Sequence, residues 1–264
     1  MDLLSLLTLE PHGADVFVGE GPRYPWGGLY GGQIVAQALR AAAATVEEQF
    51  HVHSLHAYFI RRGDHTEPIR FEVDRVRNGR SFVTRHVVAR QSVGAILTMS
   101  ASFQLDEDAP EVQTSMPPDV PAPDTLRETS WTPMFARRIV PDPGAGRASM
   151  WLRLASSLDG DRALNAAALA FLSDDVPTDA VVGLHPARPG VSSLEAFDAT
   201  FVSASLDHAI WFHRPAAPHE WHLYDFQCHG LLSSRGVAVG HVFSAAGAHV
   251  ATITQEVLLR TRQR

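Results

Sequence analysis

GGQIVAQALRAAAATV, residues Gly31 to Val46, is the stretch on which the fold turns. Ile34, Val35, Ala38, Leu39, Ala42 and Val46 recur at helical spacing, and alanine, the best helix former, fills most other positions. Few charges interrupt it, as expected of a helix wrapped by protein on most sides. Gly31 and Gly32 open the helix and leave free backbone N–H groups there. Downstream, HVHSLHAYFI (His51 to Ile60) and PIRFEVDRV read as strands, and Asn78-Gly79 reads as a hairpin turn. SFVTRHVVARQ and AILTMSASF follow as two more strands around a turn near Gly94. One apolar helix followed by several long antiparallel strands makes a module.

The plan then recurs. Between Ala109 and Pro123 the chain carries five prolines, a density that removes backbone donors and marks a linker. Beyond it, Asn165 to Leu172 (NAAALAFL) is helical and Phe201 to Pro215 (FVSASLDHAIWFHRP) is a strand. Hairpin-forming segments run from Trp221 to Val242 and from His249 to Arg260. LHAYFIRRG (Leu55 to Gly63) aligns without a gap on DHAIWFHRP (Asp207 to Pro215), and Arg80 to His86 aligns on Arg235 to His241. Two helix-plus-sheet units, 1–108 and 131–264, joined by a Pro-rich linker at 109–130, are the simplest account.

Composition narrows the chemistry. The chain has 264 residues, 45% of them hydrophobic and 19% charged, an ordinary globular balance. All 22 cationic residues are arginine, which excludes a Schiff-base lysine and the lysine of a phosphate-binding P-loop. A net charge of -7 argues against nucleic acid as a partner. Cys228 is the single cysteine, so neither an internal disulfide nor a multi-cysteine metal site is available. No apolar run approaches the roughly 20 residues that span a bilayer, and the N-terminus lacks the features of a signal peptide. A cytoplasmic protein without membrane insertion is the expectation.

The motifs resemble those of a known family. GGQIVAQAL, VHSLHAYFIRRGD, VDRVRNGRSFVTRHVVARQ and LTMSASFQ look like the first half of the TesB-type acyl-CoA thioesterases (type II). SLDHAIWFHRP, WHLYDF, RGVAVGHVF and VATITQEVLLR look like the second half. The likeness weakens in the linker and from about Trp131 to Gly160. It implies an α+β double hotdog, in which two long helices are each wrapped by an antiparallel sheet and packed as a pseudo-dimer. It also implies hydrolysis of fatty acyl-CoA to fatty acid and CoA, no metal or organic cofactor, and a homodimer or higher homo-oligomer. Carried over by motif, the family's catalytic aspartate falls on Asp207 and its glutamine on Gln255. Its third position, a threonine or serine, falls on His229.

These residues also have readings of their own. Asp207 in an apolar strand needs partners, because burying a lone carboxylate costs several kcal/mol; a water-activating cluster or a backbone turn can supply them. Gln255 shares a strand face with Ile253 and Val257, and an amide that donates and accepts suits a water-holding role. His229 is a base, a water-orienting group or a structural histidine. Cys228 and His229 point to opposite faces of an extended strand, which weakens a thiol–imidazole dyad, and the same argument weakens Asp207 with His208. The N–H groups of Gly31 and Gly32 suit an oxyanion. Arg61, Arg62, Arg80, Arg214 and Arg235 are candidates for the CoA phosphates. No GxSxG elbow is present, so direct attack by water is favoured over a covalent serine route. Two alternatives remain: an acyl-CoA-binding module without catalysis, and a hotdog hydratase, for which the GDxNPxHxD segment is missing.

Overall fold

In the computed structural model, which describes residues 1–158, 160–189 and 193–262, each half of the chain begins with two strands that form a sheet edge. In the first half these are β1 (Glu10–Pro11) and β2 (Val16–Gly19), preceded by a short helix α1 (Leu3–Leu7). Helix α2 (Gly31–Ala43) follows, then β3 (Phe50–Phe59), β4 (Ile69–Asn78), β5 (Phe82–Gln91) and β6 (Gly94–Leu105). The second half opens with β7 (Phe135–Ile139) and β8 (Arg147–Leu154), then helices α3 (Arg162–Ser173), α4 (Pro177–Leu184) and α5 (Leu194–Thr200). It ends with β9 (Phe201–Ser205), β10 (Asp207–Phe212), β11 (His222–Leu232), β12 (Arg235–Ser244) and β13 (His249–Thr261).

All strands join one antiparallel sheet in the order β1-β2-β4-β5-β6-β3-β10-β13-β12-β11-β8-β7, with β9 also on β13. The two halves are therefore the same arrangement repeated, and they meet where β3 pairs with β10, Leu55 opposite Ile210. This is a double hotdog. Strands β7 and β8 complete the repeat in the region where motif likeness was weakest. Five consecutive residues of β8, Ala148 to Leu152, are buried, so its sequence lacks the alternation that marks a half-exposed strand.

The structure shifts the internal alignment by one residue. Ile60 and Arg61 donate their backbone N–H groups to Ile96 O, and His213 and Arg214 donate theirs to Val250 O. Each of these arginines also places Nη1 on a carbonyl, Arg61 on Ala95 O at 2.9 Å and Arg214 on His249 O at 2.8 Å. Arg61 thus corresponds to Arg214, and Leu55 to His208 rather than to Asp207. Arg80 to His86 likewise slides against β12, since Arg85 pairs with Ala101 where Ala238 pairs with Gln255.

A second departure concerns the helix of the second half. It is broken at Asp174–Val176, where Pro177 starts α4 at a position that needs no backbone N–H. Helix α3 lies against α2, and the second sheet folds around α4. Phe201 to Pro215 is likewise two strands with a break at Leu206, whose N–H donates to Glu256 O. The Pro-rich segment crosses the outer face of the second sheet. There Val120 and Leu126 cover Val140, Trp151, Leu223 and Phe243. Among the described residues no helix is long and apolar enough to cross a membrane.

Candidate active site

The break after α3 leaves Asp174 as its C-terminal cap, pointing at the start of α2. Its Oδ2 accepts the Gly32 N–H at 2.9 Å, and its Oδ1 lies 3.1 Å from Ser205 Oγ. Two close packings force the glycines here: a Cβ on Gly31 would lie 2.7 Å from Asp174 Oδ2, and one on Gly32 would lie 2.4 Å from Phe171 O. The Gly32 N–H expected to be free for an oxyanion is therefore occupied by a carboxylate of the same chain. Burial pushes the Asp174 carboxyl up to about 6, against the opposing hydrogen bonds of Gln255, Ser205 and Gly32.

Gln255 continues the chain of contacts. Its side chain is fully buried (0% exposed) on the inner face of β13. Nε2 donates to Ser205 Oγ at 2.8 Å, and Oε1 lies 2.5 Å from His208 Nδ1. His208 is equally buried, and its Nε2 lies 2.7 Å from Ser173 Oγ. Burial holds the imidazole down to about 4, so near neutral pH it is uncharged. Asp174, Ser205, Gln255, His208 and Ser173 thus form one continuous polar chain between the end of α3 and the sheet.

Asp207 stands beside this chain. The break at Leu206 frees the Glu256 N–H, which donates to Asp207 Oδ1 at 2.7 Å. The carboxyl is half-buried, and burial raises it above the usual carboxylate range, with the Glu256 hydrogen bond pulling the other way. No other hydrogen bond to its side chain occurs among the described residues, so Oδ2 is available to a ligand.

Two family models divide the chain between them. The acyl-CoA thioesterase N-terminal domain matches residues 21–104, and the acyl-CoA thioesterase C-terminal domain matches residues 106–259. The chain belongs to the acyl-CoA thioesterase II family. It is 30% identical to acyl-CoA thioesterase 2 of Haemophilus influenzae, over 98% of this chain and 97% of that protein. It is also 30% identical to human acyl-coenzyme A thioesterase 8, over 98% of this chain and 88% of that one. Among solved structures, acyl-CoA thioesterase II TesB2 from Mycobacterium marinum superimposes with a TM-score of 0.86 at 33% identity, covering 99% and 98% of the two chains.

Seen as a type II thioesterase, the chain brings Asp207, at the start of β10, beside Gln255 and Glu256, midway along β13, but leaves His229 outside. His229 is exposed and makes no hydrogen bond among the described residues. It follows directly on Cys228, which faces inward, so strand alternation turns it outward just ahead of a bulge between Cys228 and Leu231. The inward residue in the row of Gln255 and Ala238 is Cys228, whose Sγ meets Gly230 O at 3.4 Å and whose thiol burial pushes up. The candidate arginines do not converge. Arg61 and Arg214 hold turns, Arg62 donates to Trp26 O, Arg80 is exposed beside the Asn78–Gly79 turn, and Arg235 donates to Glu256 Oε1 at 2.8 Å. The motif reading passed over Asp174, Ser205 and the partnership of His208 with Gln255. Strand alternation alone places His208 and Gln255 on one face once β10 is paired with β13, so that contact had a sequence signal. Asp174 had none, because its role depends on where a helix stops.

Proposed function

We propose that this chain hydrolyses acyl-CoA thioesters to a free acid and CoA by direct attack of a water held between Asp207 and Gln255. Membership of the acyl-CoA thioesterase II family supports the reaction class. The single observation that carries the mechanism is Gln255: a fully buried amide, fixed by His208, Ser205 and Asp174, on the strand next to Asp207. A glutamine cannot take a proton near neutral pH, so its part is to hold the water or the thioester carbonyl. Asp207 supplies the base. Its raised pKa makes it a better proton acceptor than a solvated carboxylate. Water adds to the carbonyl carbon as Asp207 takes its proton. The tetrahedral intermediate then expels the CoA sulfur, to which the proton is returned. Arg235 is the cation closest in bonding to this centre, through Glu256, and is the arginine we assign to the CoA phosphates.

The test is release of free thiol from a panel of acyl-CoAs, followed with a thiol-reactive dye. Turnover by the purified chain supports the reading. Tight binding of the same acyl-CoAs without thiol release would replace it by a non-catalytic acyl-CoA-binding role.

A further inference from the structure

The four hydrogen bonds from Asp174 to Ser173 have a direction. An ionised carboxylate only accepts, so the single Ser205 proton is committed to Asp174 Oδ1, 3.1 Å away. Ser205 Oγ can then only accept from Gln255, which turns Nε2 toward Ser205 and Oε1 toward His208. A neutral His208 must in consequence carry its proton on Nδ1 and take the Ser173 proton at Nε2. The carboxylate at one end thereby determines the orientation of the amide at the middle.

The same atoms admit the reverse order. A protonated Asp174 donates to Ser205, whose own proton turns to Gln255. The amide flips, its NH2 donates to His208 Nδ1, and His208 Nε2–H donates to Ser173. The last proton has a destination too, since Ser173 Oγ lies 2.9 Å from Ala170 O. Both directions leave every hydroxyl, amide and ring nitrogen of the chain with a partner. They differ in which face of the Gln255 amide is turned to the reacting water.

We infer that Asp174 is a positioning residue for Gln255: its ionised carboxylate, held by the Gly32 N–H, sets the direction of the chain and so the face of the amide that meets water or thioester. The inference rests on the role proposed above for Gln255. The groups that face Asp174 are Tyr30 and the Gly32 N–H from the start of α2, Ser205 from β9, Gln255 from β13, and its neighbour Asp175. Asp175 is in turn paired with Arg137 of β7 at 3.3 Å. With Asp174 pushed up to about 6 by burial, the productive direction prevails above that pH, and the reversed one below it.

The experiment is a set of pH–rate profiles for wild type, Asp174→Asn, Ser205→Ala, the double variant and Gln255→Ala, each checked for folding by thermal melting. Wild-type kcat falls as pH drops through about 6. Asp174→Asn lowers kcat at pH 7.5 at least about tenfold with KM within about threefold, and abolishes that acid limb. Ser205→Ala loses a similar factor, and the double variant is no slower than the slower single one, because both cut one chain. Should Asp174→Asn fail to fold, Ser205→Ala carries the test. Wild-type rate and an unchanged acid limb in Asp174→Asn, or in Ser205→Ala if only that variant folds, overturn the inference. A wild type that releases no thiol, or a Gln255→Ala variant at full rate, overturns instead the reading on which it rests.

Discussion

The two halves of this thioesterase share one backbone plan and put opposite contents at the same place in it. In the first half the inward row is Arg85, Ala101 and Leu55. In the second the matching row is Ala238, Gln255 and His208. Arg85 is buried (2% exposed) with no ion-pair partner among the described residues, and its donors go to neutral oxygens: Thr45 Oγ1 and O, Arg77 O, Thr84 O and Asn78 Oδ1. It ties the end of α2 to the bulged edge of β4. Ala238 puts no comparable side chain there in the second half, and the end of the helix is held instead by Asp174 reaching Gly32 and Ser205. One half spends its buried polar row on holding a helix; the other, in the mechanism proposed above, uses it to hold the reacting water or thioester.

The largest effect that tests this contrast is on stability. Arg85→Met leaves Thr45 O and Asn78 Oδ1 without their donor, and a few such losses come to about 3 kcal/mol. For a chain of this size the melting temperature drops by roughly 6 to 12 °C, while kcat of the folded fraction stays within about twofold. A large loss of kcat with unchanged melting would place Arg85 in the chemistry and undo the contrast.

Asp207→Asn comes next. It keeps the shape of the side chain and removes the base, so turnover falls at least about tenfold, or 1.4 kcal/mol of activation free energy. The melting temperature moves little, because the amide oxygen still accepts the Glu256 N–H. Full turnover by folded Asp207→Asn would remove it from the mechanism.

Acid separates the halves more gently. His208 and His249 are each held down to about 4, chiefly by burial, against about 6.5 in an unfolded chain. A depressed histidine stabilises the fold fully above about 6.5, and that contribution is lost as pH falls toward 4. Asp174, raised to about 6, acts in the opposite sense, since the fold recovers stability as this carboxyl protonates. Asp179 on α4, also raised to about 6 by burial, acts in the same sense as Asp174. Both aspartates lie on the helix side, whereas His208 and His249 lie on β10 and β13 themselves, so amide exchange protection in β10 and β13 declines between pH 6.5 and 4.5 before that of β5 and β6. Equal decline in both pairs of strands would contradict this order. The smallest effect is at His229: an alanine there leaves kcat within about twofold and the pH profile unchanged, whereas a tenfold loss would return it to the site.

How much of this was legible in the chain follows from the range of the interactions. Helix α2 and strands β3 to β6 are written in local periodicity, and Asp207 and Gln255 in short motifs. Strand β8 was hidden because burial on both sides erases alternation. Counting residues along β11 led to His229, but the pairing of Cys228 with Ala238 turns Cys228 inward, and alternation then leaves His229 outside. The repeat was visible, but an ungapped match of nine residues fixed its register one place off. The backbone bonds of Arg61 and Arg214 correct that, and only after the strands are paired. Asp174 escaped because its meaning lies in contacts with Gly32 and Ser205, brought together by the break before Pro177.

The most direct test of the division between the halves is a matched pair of substitutions at equivalent inward positions, Gln255→Ala and Ala101→Ser, assayed for thiol release from the same acyl-CoA. Both are read as kcat on protein shown to be folded. The account predicts a loss of at least about tenfold for Gln255→Ala and less than about threefold for Ala101→Ser. Equal losses from the two, or a Gln255→Ala variant with wild-type kcat, would contradict it.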